Sequence, residues 1–437
     1  MRNSTTHHLV VVGGGVAGLE LASTLARQSR RDSNRDQQIV VTLVDRDSAH
    51  VWKPMLHTIA AGTQETAIQQ TPYLAQARRA GFVYRPGELA GVDAAAGCLT
   101  LAAYRDEAGQ TIVPETQLSF DTLVLAVGSR ANDFRTPGVA EYCSAIDTRE
   151  QAERFNRALR LQITRAVALD LPLSVAIVGG GATGVELAAE VVQLADGMVG
   201  YGVSGLKDRL AVTLIEAGPR LLAGFPEDIA ESTLVRLQAL GVDVLLDSRV
   251  RKASQDYFDL GDGHTVAATL KVWAAGVKGP DVLAQLDMLE VTQSNLIQVL
   301  PSLQSTAQPH IFAIGDCAAL VDASSGRNHP PTAQVAHQQA RHLIKHLPAF
   351  IHHATPIPAF RYRHMGSLVS LGDYDAFASL GKTGLFDGVT LRGRLAHLSH
   401  RMLYRSHQSR IHGFWRGTLL WLIDQMNARV RPPIRLD

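Results

Sequence analysis

The chain has 437 residues, 46% of them hydrophobic, with 37 glycines, 3 cysteines and a formal net charge of +1. At a prior of about 150 residues per domain this suggests two or three domains of a soluble α/β class, with enough interior to bury cofactors. No stretch approaches the roughly 18 apolar residues of a membrane span, the apolar run at 9–12 leads into a glycine turn and not a signal-cleavage site, and Cys98, Cys143 and Cys317, scattered and without a C-x-x-C, fit a reducing cytoplasmic compartment and not a disulfide scaffold.

Taking the chain in order, residues 9–12 form an apolar run that meets Gly13, Gly15 and Gly18, and residues 40–45 form a second run that closes on Asp45. Strand, glycine turn, helix and acid-ended strand make up a dinucleotide-binding pattern. The first glycine permits the tight turn, the second lets a pyrophosphate approach the backbone, and the third packs helix on strand. Free amides at the helix start face the phosphates, and the acid is placed for a ribose hydroxyl. The acid comes later than the usual roughly 20 residues, which reads as a polar loop insertion over 29–38.

Residues 50–57, His-Val-Trp-Lys-Pro-Met-Leu-His, are rich in aromatic and cationic groups for a loop. They fit a segment passing the cofactor, with Lys53 stabilising negative charge on a reduced ring, and equally a proline-ended loop that packs Trp52. Turn signals at 86–87, 96–97 and 108–109 divide 83–113 into short strands, predicted as a β-meander inserted as a crossover. Residues 120–128 read as a buried strand ending at Gly128, and 147–165 are helical in pattern.

The pattern then repeats. A β-branched run at 175–178 meets Gly179, Gly181 and Gly184, a helix-forming series follows, and residues 212–216 end in Glu216. A loop insertion over 197–207 accounts for the late acid here. Residues 270–276 echo the strand end at Gly128, now closing on Gly276. Chance duplication of the whole unit is improbable, so two dinucleotides are held in one chain, and electron transfer between them is the obvious reason.

Residues 311–316 are a strand ending in Gly-Asp, which presents Asp316 to a ribityl or ribose hydroxyl. Residues 330–340 open a helix with proline in its first turn. Gln334 and Gln338 share one face, which taken alone reads as the polar face of an ordinary helix. His342 and His346 are also four apart, but no cysteine cluster or second ligand pair accompanies them, and no metal is expected. From 389 onward nine arginines face only Asp424 and Asp437, so the rest of the chain is net acidic. Ile411, Trp415, Leu419, Leu422 and Met426 fall on one helical face. Basic residues with an aromatic-aliphatic face suit a helix lying in a membrane interface, and such a face also suits packing on the body or a partner subunit. Gly413 and Gly417 each cost that helix up to ~1 kcal/mol against alanine.

The two glycine loops, Thr306…Ala313-x-Gly-Asp316 and the strand endings resemble the two-dinucleotide-fold flavoproteins. Within them, His50-x-Trp-Lys-Pro, Gly-Ala-Thr-Gly-Val-Glu186, Val-Trp-Ala-Ala-Gly276 and Ala333-Gln-x-Ala-x-Gln338 resemble type II NADH:quinone oxidoreductases. The similarity extends through 366–371 to the basic tail. One departure is Ala-Val-Gly at 126–128, where many relatives carry Ala-Thr-Gly, which bears on the Val127 contact.

The resemblance implies two Rossmann-like domains: an FAD domain from 1–130 and 300–350, an NADH domain at 131–299, and an amphipathic, membrane-attaching region at 351–437. It implies that Gly13, Gly15, Gly18 and Asp45 hold the adenosine half of FAD and Asp316 its ribityl-pyrophosphate region, with Gly128 and Lys53 also at the cofactor. Gly179, Gly181, Gly184, Glu216 and Gly276 would hold NADH, released as NAD. Glu186 would lie near the nicotinamide and flavin, although a first-turn acid also complements the helix dipole. The helix from Thr332 would point at the flavin, and Gln334 and Gln338 would line a quinone site. The implied activity is transfer of two electrons from NADH to a membrane quinone without proton pumping, as a respiratory-chain entry point. The implied setting is peripheral, on the cytoplasmic face of the inner membrane if bacterial, compatible with a homodimer and without nucleic acid. A disulfide reductase would need a cysteine pair near Lys53, and a sulfide:quinone reductase a cysteine after Cys317; neither is present. Cys317 reads as packing. A flavin-binding signalling protein with a basic interaction tail is a further alternative, and rapid quinone-dependent NADH turnover would discriminate against it.

Overall fold

A computed structural model describes residues 5–31, 37–64, 66, 70–106, 108–200, 205–323, 325–372, 374–380 and 390–430. The chain forms two compact units. The first comprises Met1–Trp52, Gln70–Arg130 and Val277–Arg363; the second comprises Lys53–Gln69, Ala131–Gly276 and His364–Asp437. Residues 277–299 cluster with the first unit, and the chain passes from the first unit to the second after Arg363. Residues 53–69 join the second unit because the short helix Leu56–Ala61 is buried throughout and packs on the helices Arg149–Leu169 and Ala182–Gly200.

The core of the first unit is a parallel sheet in the order Ile311–Ala313, Thr122–Leu125, Thr5–Val12, Gln37–Asp45, Val83–Pro86. Its central strand is continuously buried from Leu9 to Val12, as a parallel strand covered on both faces must be. The helix Val16–Arg31 follows the glycine turn, and Ala333–His353 packs against it. The expected meander needs one correction. Val83–Pro86 pairs parallel with Gln37–Asp45 and belongs to the main sheet, because the helix Tyr73–Ala80 carries the chain back in a crossover. The antiparallel strands are Leu89–Asp93, Cys98–Leu101 and Thr116–Ser119, with a separate hairpin of Tyr104–Arg105 and Thr111–Val113.

The second unit repeats the plan with a parallel sheet ordered Val242–Leu245, Leu210–Ile215, Leu173–Val178, Leu270–Trp273. The helix Arg149–Leu169 leads into it, started by a capping box: Thr148 Oγ1 accepts from the Gln151 amide and the Gln151 side chain accepts from the Thr148 amide, each at 3.2 Å.

Neither insertion is simply a loop. The helix runs on to Arg31 in the first, and residues 37–38 are already strand; residues 32–36 lie outside the described residues. In the second the helix continues to Gly200 and another begins at Leu206, with 201–204 outside the described residues. The helix at 333 starts after its two prolines: Thr332 is the cap, its hydroxyl accepting from the Val335 amide at 3.3 Å, so the prolines precede the cap and do not occupy the first turn.

The C-terminal face predicted on one helix is divided between two. Gly413, at φ +86°, ends Arg394–His412, and Phe414–Val430 follows. Ile411 is buried on the first of these, whereas Trp415 is 83% exposed and Leu419, Leu422 and Met426 are exposed on the second. Gly417 has a packing reason: a Cβ there would lie 2.9 Å from Ser409 Cα, so the two helices approach closely at that point. Arg405 bonds Thr418 at 3.1 Å and sits 5.1 Å from the centroid of Trp421. Arg431 and Arg435 of the basic tail lie outside the described residues. Among the described residues, no helix is long and apolar enough to cross a membrane.

Candidate functional site

The two glycine turns are built alike. Gly13 and Gly179 adopt φ +102° and +115°, and their amides donate to Val44 O and Ile215 O, each at 2.8 Å. A Cβ at Gly18 would fall 1.8 Å from Gly13 O, and one at Gly184 would fall 2.0 Å from Gly179 O; this is the helix-on-turn contact that only glycine allows. At Gly15 and Gly181 a Cβ would meet nothing within 4 Å. The backbone there is open at the start of a helix, as a pyrophosphate requires, so both turns fit a dinucleotide.

Each turn is latched by the acid at the end of the neighbouring strand. Gly14 N donates to Asp45 Oδ2 at 2.5 Å, and Asp47 N donates to Oδ1 at 2.8 Å. Gly180 N donates to Glu216 Oε2 at 2.6 Å, and Gly218 N to Oε1 at 2.7 Å. A carboxylate offers about four acceptor sites, so each acid keeps acceptor capacity beyond its two amides, although Tyr73 OH also lies 3.4 Å from Asp45 Oδ2. Burial holds the Asp45 carboxyl above the ordinary carboxylate range, opposed by the amides of Gly14 and Asp47.

In the first unit, Ser129 Oγ donates to Asp316 Oδ2 at 2.9 Å, and Gly128, at φ +71°, has open space where a Cβ would stand. The structure brings Asp316 to the same end of the sheet as Gly13, Gly15, Gly18 and Asp45. Gln334 and Gln338 lie on the helix packed beside the first glycine helix, and both are tied to the segment ending at 363. Tyr362 donates to Gln334 Oε1 at 2.6 Å. Gln338 Nε2 donates to Arg363 O at 2.8 Å and its Oε1 accepts from Arg363 N at 3.0 Å. In the second unit, Lys53 opens a short 3-10 turn, half-buried, directly before the helix that carries His57. His342 Nε2 lies 2.8 Å from Pro358 O, and its ring is 4.8 Å from that of His346.

Glu186 is enclosed. Its Oε2 lies 3.3 Å from His57 Nδ1, its Oε1 accepts from Ser370 N at 3.1 Å, and both side chains of the pair are buried. Burial, seconded by the negative field of Glu190, pushes its carboxyl up to about 8 against the opposing Ser370 bond, so it is protonated at neutral pH. Glu190, one turn on, accepts from Thr63 Oγ1 at 2.5 Å. The first unit holds the counterpart: Glu20 stands two residues past Gly18 as Glu186 does past Gly184, and its Oε2 lies 2.6 Å from the buried His337 Nδ1.

Several contacts at these turns escaped the sequence reading. His50 and Tyr73 both reach Gly14 O, at 2.9 and 3.0 Å, and Gln339 Oε1 accepts from Gly315 N at 2.7 Å. The Gly-x-Glu repeat was visible as a signal for Glu20, but its histidine partner was not. Cys317 is buried, its thiol pushed up to about 12 by burial, and all three cysteines are free.

A family model described as pyridine nucleotide-disulphide oxidoreductase matches residues 7–340. The type II NADH:quinone oxidoreductase of Haemophilus influenzae is 36% identical over 447 residues, covering 98% of this chain and 99% of that one. Among solved structures, NDH2 from Plasmodium falciparum in complex with NADH gives a TM-score of 0.82 at 19% identity, covering 98% of this chain and 100% of that one. The sulfide:quinone oxidoreductase from Aquifex aeolicus gives 0.71 at 18%, covering 98% and 96%. These two structural likenesses concern the fold.

The buried Glu186 carboxyl makes a testable contribution to stability. Folded, it keeps its proton to about pH 8; its ordinary value is 4.5. The folded state therefore binds the extra proton, and stability falls as pH rises through that window, the loss being complete above the folded value. Glu186→Gln should flatten the decline. The check is thermal unfolding of both proteins from pH 5 to 9; an unchanged slope would show that Glu186 is not the group being titrated.

Proposed function

The chain belongs to the type II NADH:quinone oxidoreductases of the pyridine nucleotide-disulphide oxidoreductase family, and from that membership we propose that it oxidises NADH with bound FAD and passes two electrons to a quinone without pumping protons. The observation that carries this reading is the doubled turn, each copy latched by a carboxylate and each open where a pyrophosphate would lie.

Gly13, Gly15, Gly18 and Asp45 hold the adenosine half of FAD, and Asp316, braced by Ser129, holds its ribityl region, with Gly128 leaving room beside it. Bound FAD supplies the two-electron chemistry that links the two substrates. Gly179, Gly181, Gly184 and Glu216 bind NADH, with Gly276 at the neighbouring strand end. Glu216 suits a ribose 2′-hydroxyl and opposes a 2′-phosphate by like charge, which favours NADH over NADPH. Arg220 is poorly placed to offset this, since its guanidinium donates to the carbonyls of Phe225 and Ala223 at 3.1 and 2.8 Å. Glu186 keeps a proton near the nicotinamide end of the site, and Lys53 would offer positive charge to the cofactor ring, the role that the family resemblance gives it. The absence of a cysteine beyond Cys317 argues against sulfide:quinone chemistry, and the absence of a cysteine pair near Lys53 argues against disulfide chemistry.

Gln334 and Gln338 orient the quinone. An amide can donate to a quinone carbonyl without bringing a charge into an apolar site, and Gln338 Nε2 carries a second hydrogen beyond the one given to Arg363 O. Changing both to alanine should slow the quinone-dependent half of turnover several-fold, the scale of one or two neutral hydrogen bonds, and leave the NADH-dependent half nearly intact. Stopped-flow absorbance separates the halves. Normal quinone reaction with slowed NADH reaction would move the glutamines to the nicotinamide.

The exposed Trp415, Leu419, Leu422 and Met426, set among arginines, suit peripheral attachment to a membrane, on the cytoplasmic face in a bacterium; the same region is compatible with pairing in a homodimer. Ending the chain at Gly413 removes this face and keeps the buried Ile411. The shortened protein should no longer sediment with anionic vesicles but should still react with NADH, and binding by the full chain should weaken as salt rises. Equal sedimentation of both would exclude the helix as the anchor.

A further inference from the structure

We infer that Phe134 is a nucleotide-binding residue that packs against the nicotinamide end of the dinucleotide in the second unit. This rests on the reading that the second glycine turn binds NADH, and it concerns which side chain receives the half of the molecule that the turn does not touch.

The sheet order gives the direction. Glu216 follows the strand on one side of the glycine turn, and residues 274–276 follow the strand on the other. A dinucleotide with its adenosine ribose at Glu216 and its pyrophosphate at Gly181 must run on across the strand ends toward Gly276, because ligands of such sheets lie outside the carboxyl ends of the strands. The adjacency is tight: a Cβ at Gly179 would lie 2.7 Å from Ala274 O.

At that point the two units differ. Gly128 and Gly276 are equivalent strand-end glycines, at φ +71° and +63°. A Cβ at Gly128 would meet nothing within 4 Å, whereas one at Gly276 would lie 2.4 Å from Phe134 Cζ. The phenyl ring lies directly on Gly276, yet the residue is 61% exposed, so the ring has one covered side and one open side.

The backbone is held to keep it there. Phe134 and Arg135 adopt φ +50° and +57°, consecutive left-handed conformations that side-chain-bearing residues rarely accept. The loop tolerates them because it is tied on several sides. Trp273 Nε1 donates to Asn132 O at 2.7 Å, Asn132 N donates to Ala275 O at 3.2 Å, and Phe134 N donates to Asn132 Oδ1 at 2.9 Å. Backbone strain fixed by surrounding bonds and presenting an exposed aromatic is characteristic of a ligand clamp. A flat apolar ring beside the expected path of the nicotinamide supplies packing area for a flat ring at small cost in side-chain freedom.

The test uses the full-length, FAD-loaded protein and two non-reducing ligands, NAD and ADP-ribose, which differ only in the nicotinamide. Dissociation constants are measured by titration calorimetry for the unmodified protein, Phe134→Ala, Phe134→Tyr and Gly276→Ala. Phe134→Ala should weaken NAD about three- to tenfold while ADP-ribose changes less than about twofold, the scale of one lost aromatic contact. Phe134→Tyr should restore NAD binding, and Gly276→Ala, whose new methyl displaces the ring, should reproduce the selective loss. Unchanged NAD binding in Phe134→Ala, or equal weakening of both ligands, would overturn the assignment. Failure of the unmodified protein to bind either ligand would instead remove the nucleotide assignment of the second turn, and this inference with it.

Discussion

The structure depends on one interaction made twice: a carboxylate at the end of a strand accepts the amide of the middle glycine in the neighbouring turn. Asp45 does this for Gly14 and Glu216 for Gly180, and each takes a second amide two residues beyond itself. The turn would otherwise be a run of three glycines with the largest conformational freedom a chain can have. Tying it to the adjacent strand holds it in a single shape and keeps its remaining amides aimed outward. The acid therefore fixes the turn, and on the proposed function its remaining acceptor sites are the ones offered to a ribose. The equivalence extends further along the backbone, since Ala126 N bonds Val12 O at 2.7 Å and Ala274 N bonds Val178 O at 2.8 Å.

Against this shared frame the differences between the units carry the functional assignment. In the first, Asp316 enters from a distant segment and the following helix brings Gln334, Gln338 and the buried Gln339. In the second, Glu186 is enclosed by His57, Ser370 and the field of Glu190, and loses its charge. A buried carboxyl without a full counter-charge neutralises more cheaply than it stays ionised, and that makes Glu186 a proton-holding group where Glu216, latched by two amides, is an acceptor.

Much of this was legible in the sequence because it is local and periodic. Glycine spacing, β-branched runs and strand-ending acids all declare themselves within 10 to 40 residues, and Gly13 through Asp45 and Gly179 through Glu216 stand where that reading put them. Side-chain pairing across the chain was not legible. Glu20 meets His337 over a separation of 317 residues, and Glu186 meets the amide of Ser370 over 184; no periodicity encodes either. Gln334 and Gln338 were visible as one helical face, but Gln339 on the buried side, bonded to Gly315 N, was not. The C-terminal pattern misled in an instructive way. Ile411 and Trp415 keep helical spacing through Gly413, yet the left-handed glycine ends one helix and the close approach at Gly417 folds the next back on it.

The assignment of one turn to FAD and the other to NADH is tested most directly by filling each open position in turn and recording the visible spectrum. Gly181→Val should purify yellow, with its colour bleached by dithionite but not by NADH, because only the substrate's pyrophosphate is displaced. Gly15→Val should purify folded by circular dichroism but without the flavin colour. A Gly181 variant that NADH still bleaches at the normal rate, or a Gly15 variant that keeps its full complement of flavin, would contradict the account.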